Sequence, residues 1–187
     1  MYIAFEGADG TGKTSMAMAL VEQLNSQGRN AKFVRAPGST SFGNYLRANI
    51  HHRDDVKVYQ FLANHVEIVE EVVKPHLEQG GIVVQDRTFI SSIVYLGYCG
   101  TLDANDLAMY YRKAISKKPD VLFVLDCDTE TCLSRLIDLD KDMDDPDVDL
   151  MSNILAAYRI EGRVQSGKII DSSAPFEKVL ETCLTYC

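Results

Sequence analysis

Basic residues are scarce: Lys and Arg number 19 against 27 Asp and Glu, for a net charge of -8. That balance argues against a protein living on duplex nucleic acid, which needs a basic face to neutralise phosphates. A small anionic ligand needs only a few aimed cations and stays open. No apolar run approaches the ~18 residues of a spanning helix, so no membrane partner is expected. The five cysteines (Cys99, Cys127, Cys132, Cys183, Cys187) are odd in number and include no CxxC pair, which removes the zinc-site pattern and leaves free thiols of a reducing compartment. Residues 1–5 carry no basic n-region and run straight into glycines, so they read as a first strand and not as a signal peptide, with the cytoplasm as the expected address. Neither a repeat nor an interdomain linker breaks the 187 residues, a length suited to one domain (1–187) with one sizeable core.

What is present is an alternation of strand and helix patterns, the layout of a parallel sheet of about five strands with helices on both faces. Strands are expected at 2–5, 31–34, 82–84, 121–125 and 168–170. Helices are expected at 13–24, 56–77, 103–116, 129–137, 150–160 and 176–184, with Pro75 placed to kink the longest of them. The charge is uneven. Residues 138–149 hold seven Asp and one Lys, and this acidic run imitates the start of a calcium loop. It lacks the glycine at the sixth position and contains Pro146, so a solvated lid over about 136–150 is the better reading.

Between the first strand and the first helix, Gly7-Ala8-Asp9-Gly10-Thr11-Gly12-Lys13-Thr14 matches G-x-x-x-x-G-K-[ST] in full and in the required context. The residue types follow from the chemistry. Glycines let backbone N–H groups curl around phosphate oxygens, and the following helix presents its positive end to the anion. Lys13 would reach the β and γ phosphates of ATP, and the Thr14 hydroxyl would hold Mg²⁺. This loop identifies a donor and not a reaction, since switch GTPases, ATPase motors and small-molecule kinases share it. There is no Asn-Lys pair anywhere in the chain, which disfavours a guanine-reading switch.

Further segments resemble thymidylate kinases, the nucleoside monophosphate kinases that convert dTMP to dTDP. Phe5-Glu6-Gly7-Ala8-Asp9-Gly10 is similar to that family's phosphate loop, and 35–40 (R-A-P-G-S-T) to its R-E-P-G-G-T loop. Phe61-Leu62-Ala63-Asn64-His65 resembles F-x-A-x-R; Asp86-Arg87 with Ser91, Ser92 and Tyr95 resembles D-R-[YH]-x-x-S-x-x-A-Y. Residues 125–135 resemble L-D-x-D-P-E-x-x-L-x-R, and 170–173 the late I-D-A-S. The resemblance implies a phosphate-loop kinase fold, a homodimer, and the substrates ATP and dTMP. It places Asp9 near the deoxyribose or the transferring group with Glu6 beside it, Phe61 on the pyrimidine, and Ser92 and Tyr95 against the sugar side. The residues supply physical reasons of their own. Arg87 and Arg35 each follow a strand, where α/β sheets place ligands, and suit a phosphate clamp; each reads alternatively as a surface ion pair or a turn residue. Asp86 would orient the waters of Mg²⁺. Phe61 lies on an apolar stripe, and without the resemblance it reads as core.

Three departures stand out. Ala36 replaces the family's Glu, and Gly10 stands where some members carry an Arg. That leaves Arg135, with Lys141, as candidate transition-state cation in an acid-rich lid. His65 replaces an Arg that donates to the pyrimidine. An imidazole ordinarily titrates near neutrality, so a KM for dTMP that changes between about pH 6 and 8 is expected; the other reading is a packed core histidine. Two alternatives remain open: a kinase for another or a modified deoxypyrimidine monophosphate, and a nucleotide-binding regulatory protein without turnover.

Overall fold

The computed structural model describes residues 1–139 and 147–187. Five strands, β1 (Tyr2–Glu6), β2 (Ala31–Arg35), β3 (Ile82–Asp86), β4 (Val121–Asp126) and β5 (Lys168–Asp171), form one sheet in the order β2-β3-β1-β4-β5. All four pairings are parallel. Every residue of β1 and β3 is buried. Helices cover both faces of these strands, which explains why they read as unbroken apolar runs and not as alternating ones.

On one face lie α1 (Lys13–Ser26) and α9 (Phe176–Leu184), with Met16, Leu20 and Leu24 packed on Phe5, Val84 and Phe123. On the other lies a larger cluster in which Ile90, Val94, Leu107, Tyr111, Leu155 and Tyr158 meet Ala4 and Val124. It is built from α5 (Phe89–Ser92), α6 (Ala104–Ala114), α7 (Thr129–Leu139) and α8 (Val148–Val164). The winding reverses across β1, with β3 and β2 on one side and β4 and β5 on the other. The crevice at the carboxyl ends of β1, β3 and β4 is therefore where an open α/β sheet binds its ligand.

The helix expected at 56–77 runs as α3 (Asp54–Glu67), a π-helical segment (Ile68–Val73) and α4 (Lys74–Glu78). Pro75 falls at the second junction, and having no N–H it cannot close the regular ladder there. Two helical stretches go beyond the sequence reading. One is α2 (Ser41–Ala48), capped by Thr40, whose Oγ1 accepts from Gly43 N at 2.9 Å. The other is α5 with its π-helical continuation (Ile93–Tyr98). Among the described residues, no helix is long and apolar enough to cross a membrane. Of the acidic lid expected at 136–150, residues 140–146, with Lys141 and the middle of the calcium-loop pattern, lie outside the described residues.

Candidate active site

The phosphate loop links β1 to α1. Gly7 (φ 145°) and Gly10 (φ 85°) hold backbone angles that side chains rarely adopt. A Cβ at Gly7 would lie 2.5 Å from the Leu125 carbonyl, and one at Gly10 would collide with the carbonyl of Cys132 in α7. The loop is thus wedged between β4 and α7, and a side chain at Gly10 has no room here. Ala8 is buried, and its carbonyl accepts from Thr11 Oγ1 at 2.8 Å and from Lys13 Nζ at 3.1 Å.

Lys13 also pairs with Asp9 Oδ1 at 3.0 Å, and the same oxygen receives Arg87 Nη2 at 2.5 Å. Burial and the Arg87 charge together hold the Lys13 ammonium below its ordinary pKa. Burial works to raise the Asp9 carboxyl, but Arg87 and Lys13 outweigh it and bring it to about 2. Asp9 is therefore ionised throughout the neutral range. Tyr95 Oη donates to its other oxygen at 3.2 Å.

Arg87 follows directly on β3 with φ 67°, in the left-handed region. Its N–H bonds the Phe5 carbonyl at 3.0 Å, and its carbonyl accepts from Gln85 Nε2 at 2.8 Å. Nη1 donates to Ser91 Oγ at 3.0 Å and Tyr158 Oη at 3.1 Å, while the guanidinium lies 5.3 Å from the Tyr95 ring centre. A non-glycine residue in this conformation persists only where its surroundings over-determine it.

Glu6 supplies much of that determination. The structure places it beneath the cleft and not on its wall, fully buried. Oε1 accepts from Thr88 N at 2.5 Å and Thr88 Oγ1 at 2.8 Å, and Oε2 from Ser91 Oγ at 2.7 Å. Burial pushes its carboxyl pKa up.

Thr14 Oγ1 donates to Asp86 Oδ2 at 2.6 Å. The other Asp86 oxygen is buried without a hydrogen-bond partner among the described residues. A hydroxyl and a carboxylate beside an orphaned oxygen form the hard, all-oxygen donor set that suits Mg²⁺, so these residues fit that ion. Arg35 Nε stands 3.8 Å from Asp86 Oδ2, with its side chain 39% exposed. Register explains the meeting, since Arg35 pairs with Asp86 across β2 and β3. Arg135, one turn along α7 from Cys132, spans the loop from outside: it donates to the carbonyls of Gly10 at 3.2 Å and Ser172 at 3.0 Å.

Beside Asp9 and Arg87 opens a cleft of about 390 Å³, lined by Phe61, His65, Ser92 and Tyr95 among the expected residues, and by Pro37, Ile50, Lys57 and Asn64 besides. Asn64 is buried and braces the loop before α2, accepting from Gly38 N at 3.4 Å and donating to Thr40 Oγ1 at 3.2 Å. His65 is buried edge-on to Tyr111, with ring centres 5.8 Å apart. Burial lowers its pKa to about 4, which corrects the expectation of titration between pH 6 and 8: the imidazole is neutral across that window.

Most of the expected residues thus gather around one crevice. Glu6 lies behind it, and Arg35 and Arg135 flank it. Tyr158 escaped the sequence reading because a tyrosine on an amphipathic helix carries no signal apart from core packing. Ser91 and Asn64 sat within quoted motifs, but nothing in the sequence set them apart from their neighbours.

A glycine-rich anion cradle at the carboxyl end of the central strand, opening on a cleft with an arginine at its throat, defines a phosphate-loop protein of the kinase type. The family model described as "Thymidylate kinase" matches residues 5–182. A thymidylate kinase of Rhodopirellula baltica is 34% identical over 190 aligned positions, covering 96% of this chain and 77% of that protein. A probable thymidylate kinase of Archaeoglobus fulgidus is 30% identical over 182 positions, covering 97% and 91%. The crystal structure of a thymidylate kinase from Ehrlichia chaffeensis superposes with a TM-score of 0.79 at 24% identity, covering all of this chain and 97% of that one, and shows the same fold. The chain belongs to the thymidylate kinase family. Its class is that of the ATP-binding phosphotransferases.

Proposed function

We propose that this protein transfers the γ-phosphoryl group of ATP to dTMP, and that residues 1–187 act as one catalytic domain with a lid over about 136–150. The observation that carries the reading is the junction at Asp9, where Lys13 of the donor loop and Arg87 at the throat of the acceptor cleft meet on one carboxylate oxygen. A phosphoryl group passing between two polyanions needs cations from both sides at one point.

In this reading residues 7–14 cradle the donor phosphates, and Lys13 stabilises charge as it develops on the transferred group. Thr14 and Asp86 would hold Mg²⁺, which would supply positive charge to offset the negative charge of the donor phosphates. Arg87 grips the acceptor phosphate, with Arg35 as a second clamp. Phe61 stacks on the base, His65 faces its edge, and Ser92 and Tyr95 bound the sugar. Asp9 separates the two cations and Glu6 positions Arg87 through Thr88 and Ser91. Arg135 adds positive charge at the lid root. A cytoplasmic homodimer is the form we propose, on the resemblance to its relatives.

One observation favours a second acceptor. A neutral imidazole offers one donor and one acceptor where Arg offers five donors, so deoxyuridylates altered at the 5 position fit the same cleft. Steady-state assays with ATP and a panel of nucleoside monophosphates decide between them. We expect dTMP to give the highest kcat/KM. A better modified deoxypyrimidine would establish the second reading, and ATP binding without turnover on any acceptor would refute both.

A further inference from the structure

Cys127 directly follows β4, and Cys132 lies in the first turns of α7. Both are buried, at 6% and 0% exposure, and their sulfurs are 2.7 Å apart. That is inside van der Waals contact and about 0.7 Å longer than a covalent S–S bond of ~2.04 Å. The reaction proposed above uses neither thiol. Cys132 forms part of the wall of the phosphate loop through its backbone. The Cys132 carbonyl fills the space where a Gly10 side chain would stand, and Arg135, three residues on, donates to the Gly10 carbonyl. On the other side the Cys127 carbonyl accepts from Arg159 Nη2 at 3.2 Å, and Arg159 Nε pairs with Asp126 at 2.7 Å.

We propose that Cys127 and Cys132 form a reversible thiol–disulfide site whose oxidation loosens the grip of the phosphate loop on ATP. The two thiols are not equivalent. A hydrogen bond from the Cys132 thiol, with Ser172 and the Arg135 charge behind it, favours the Cys127 thiolate, while the same partner and burial push the Cys132 thiol up. Cys127 is therefore the attacking sulfur and Cys132 the resolving one. With hydrogen peroxide as oxidant, the Cys127 thiolate attacks one peroxide oxygen, the O–O bond breaks, and hydroxide leaves with a sulfenic acid formed on Cys127. Cys132 sulfur then attacks Cys127 sulfur. The S–S bond forms as the S–O bond breaks, and the Cys132 proton leaves with the departing hydroxyl as water. Two thiols lose two electrons, and one peroxide becomes two waters.

Closing the bond shifts the start of α7 relative to the end of β4 by a fraction of an ångström. The loop has no slack at Gly10, so the shift reaches the phosphate cradle. A misplacement of ~1 Å in an active site costs up to about 10²-fold in rate, and the loss of one phosphate hydrogen bond to a smaller shift is expected to raise the Kd of ATP about tenfold.

The test uses the reduced full-length protein before and after peroxide treatment. Both cysteines fall on the tryptic peptide that ends at Arg135. Oxidation should lower its mass by two hydrogens and block its reaction with iodoacetamide, with dithiothreitol reversing both. Calorimetry should show the rise in ATP Kd; Cys127→Ser should show the same ATP Kd before and after peroxide, and Cys132→Ala should form no disulfide and carry an oxygen adduct on Cys127 instead. A peptide that stays fully alkylatable would overturn the proposal. So would a disulfide that leaves ATP affinity unchanged, or a Cys127→Ser variant that still loses affinity on oxidation. The inference rests on the nucleotide-site reading for its consequence alone. A reduced protein that bound no ATP would instead strike that reading, with the disulfide still decided by the peptide mass.

Discussion

Arg87 combines a functional side chain with an unfavourable backbone, and two substitutions separate them. Arg87→Ala and Arg87→Gly both delete the guanidinium, and with it the contacts to Asp9, Ser91 and Tyr158. If Arg87 grips the acceptor phosphate through two charge-assisted hydrogen bonds worth about 1.5–3 kcal/mol each, either variant loses roughly 3–6 kcal/mol of transition-state binding. That corresponds to a fall in kcat/KM for dTMP of about 10² to 10⁴, with the Kd of ATP nearly unchanged.

Stability should distinguish the two variants. At φ 67° a Cβ costs about 1–2 kcal/mol, which glycine escapes, while glycine's freer unfolded chain takes back about 0.4–1 kcal/mol. Arg87→Gly should therefore be more stable than Arg87→Ala by roughly 1 kcal/mol, a difference of about 2–4 °C in Tm for a chain of this size. Paired thermal melts by circular dichroism measure the difference. An alanine variant as stable as the glycine one would show that the backbone is not strained, and a collapse of ATP affinity with dTMP binding preserved would show that donor and acceptor sites have been reversed.

Lys13→Ala should keep the fold and lower kcat by about 10² or more, since the lost ammonium acts on charge developing in the transition state; near-normal turnover would sink the kinase reading. Arg135→Ala should lower kcat more than it raises either KM, and an unchanged kcat would move that role to another cation. With the His65 pKa at about 4, KM for dTMP should show no step from this residue between pH 6 and 8. His65→Gln, which does not titrate, should give the same profile, and a step present in the parent and lost in the variant would refute the burial argument. The raised carboxyl of Glu6 binds its proton more tightly in the folded protein than in the unfolded one, so its contribution to stability is complete below its ordinary pKa of 4.5 and is lost as pH rises through the higher folded value. Urea unfolding of Glu6→Gln against the parent should show the variant gaining relative stability as pH rises above 4.5, and a constant difference would mean that Glu6 is ionised at its ordinary pKa.

The strands and the phosphate loop were legible in the sequence because their determinants are local. Residues 82–84 and 121–125 are apolar runs of strand length, and the loop's glycines and Lys13 are contiguous. The two helical stretches outside the sequence reading lacked such signals. In α2, Gly43 interrupts a short, weakly patterned segment and is there because Asn64 and Gly38 leave no space for a side chain. In α5 and its continuation, apolar residues on all sides hide the helical period. The motif spacing made legible which residues gather around the crevice, but the environment each one meets there depends on depth. Glu6 and Asp9 are both acids of the same loop. One is fully buried under Thr88 and Ser91, and the other has a side chain 54% exposed between two cations. His65 likewise carries no mark in the sequence of the burial that keeps it neutral.

The bridge at Asp9 means that Lys13 and Arg87 already hold an anion. In the proposed function, a phosphate entering between them would exchange with a carboxylate tethered to the same loop and would not arrive at two bare cations. Such an exchange sets a threshold. Inorganic phosphate or sulfate gains little by displacing a partner that never diffuses away, whereas a nucleotide brings base stacking and loop contacts that tip the balance. If the two cations bind phosphate as proposed, the internal carboxylate would filter abundant simple anions out of the site and make substrate binding less sensitive to ionic strength than two unpaired cations would.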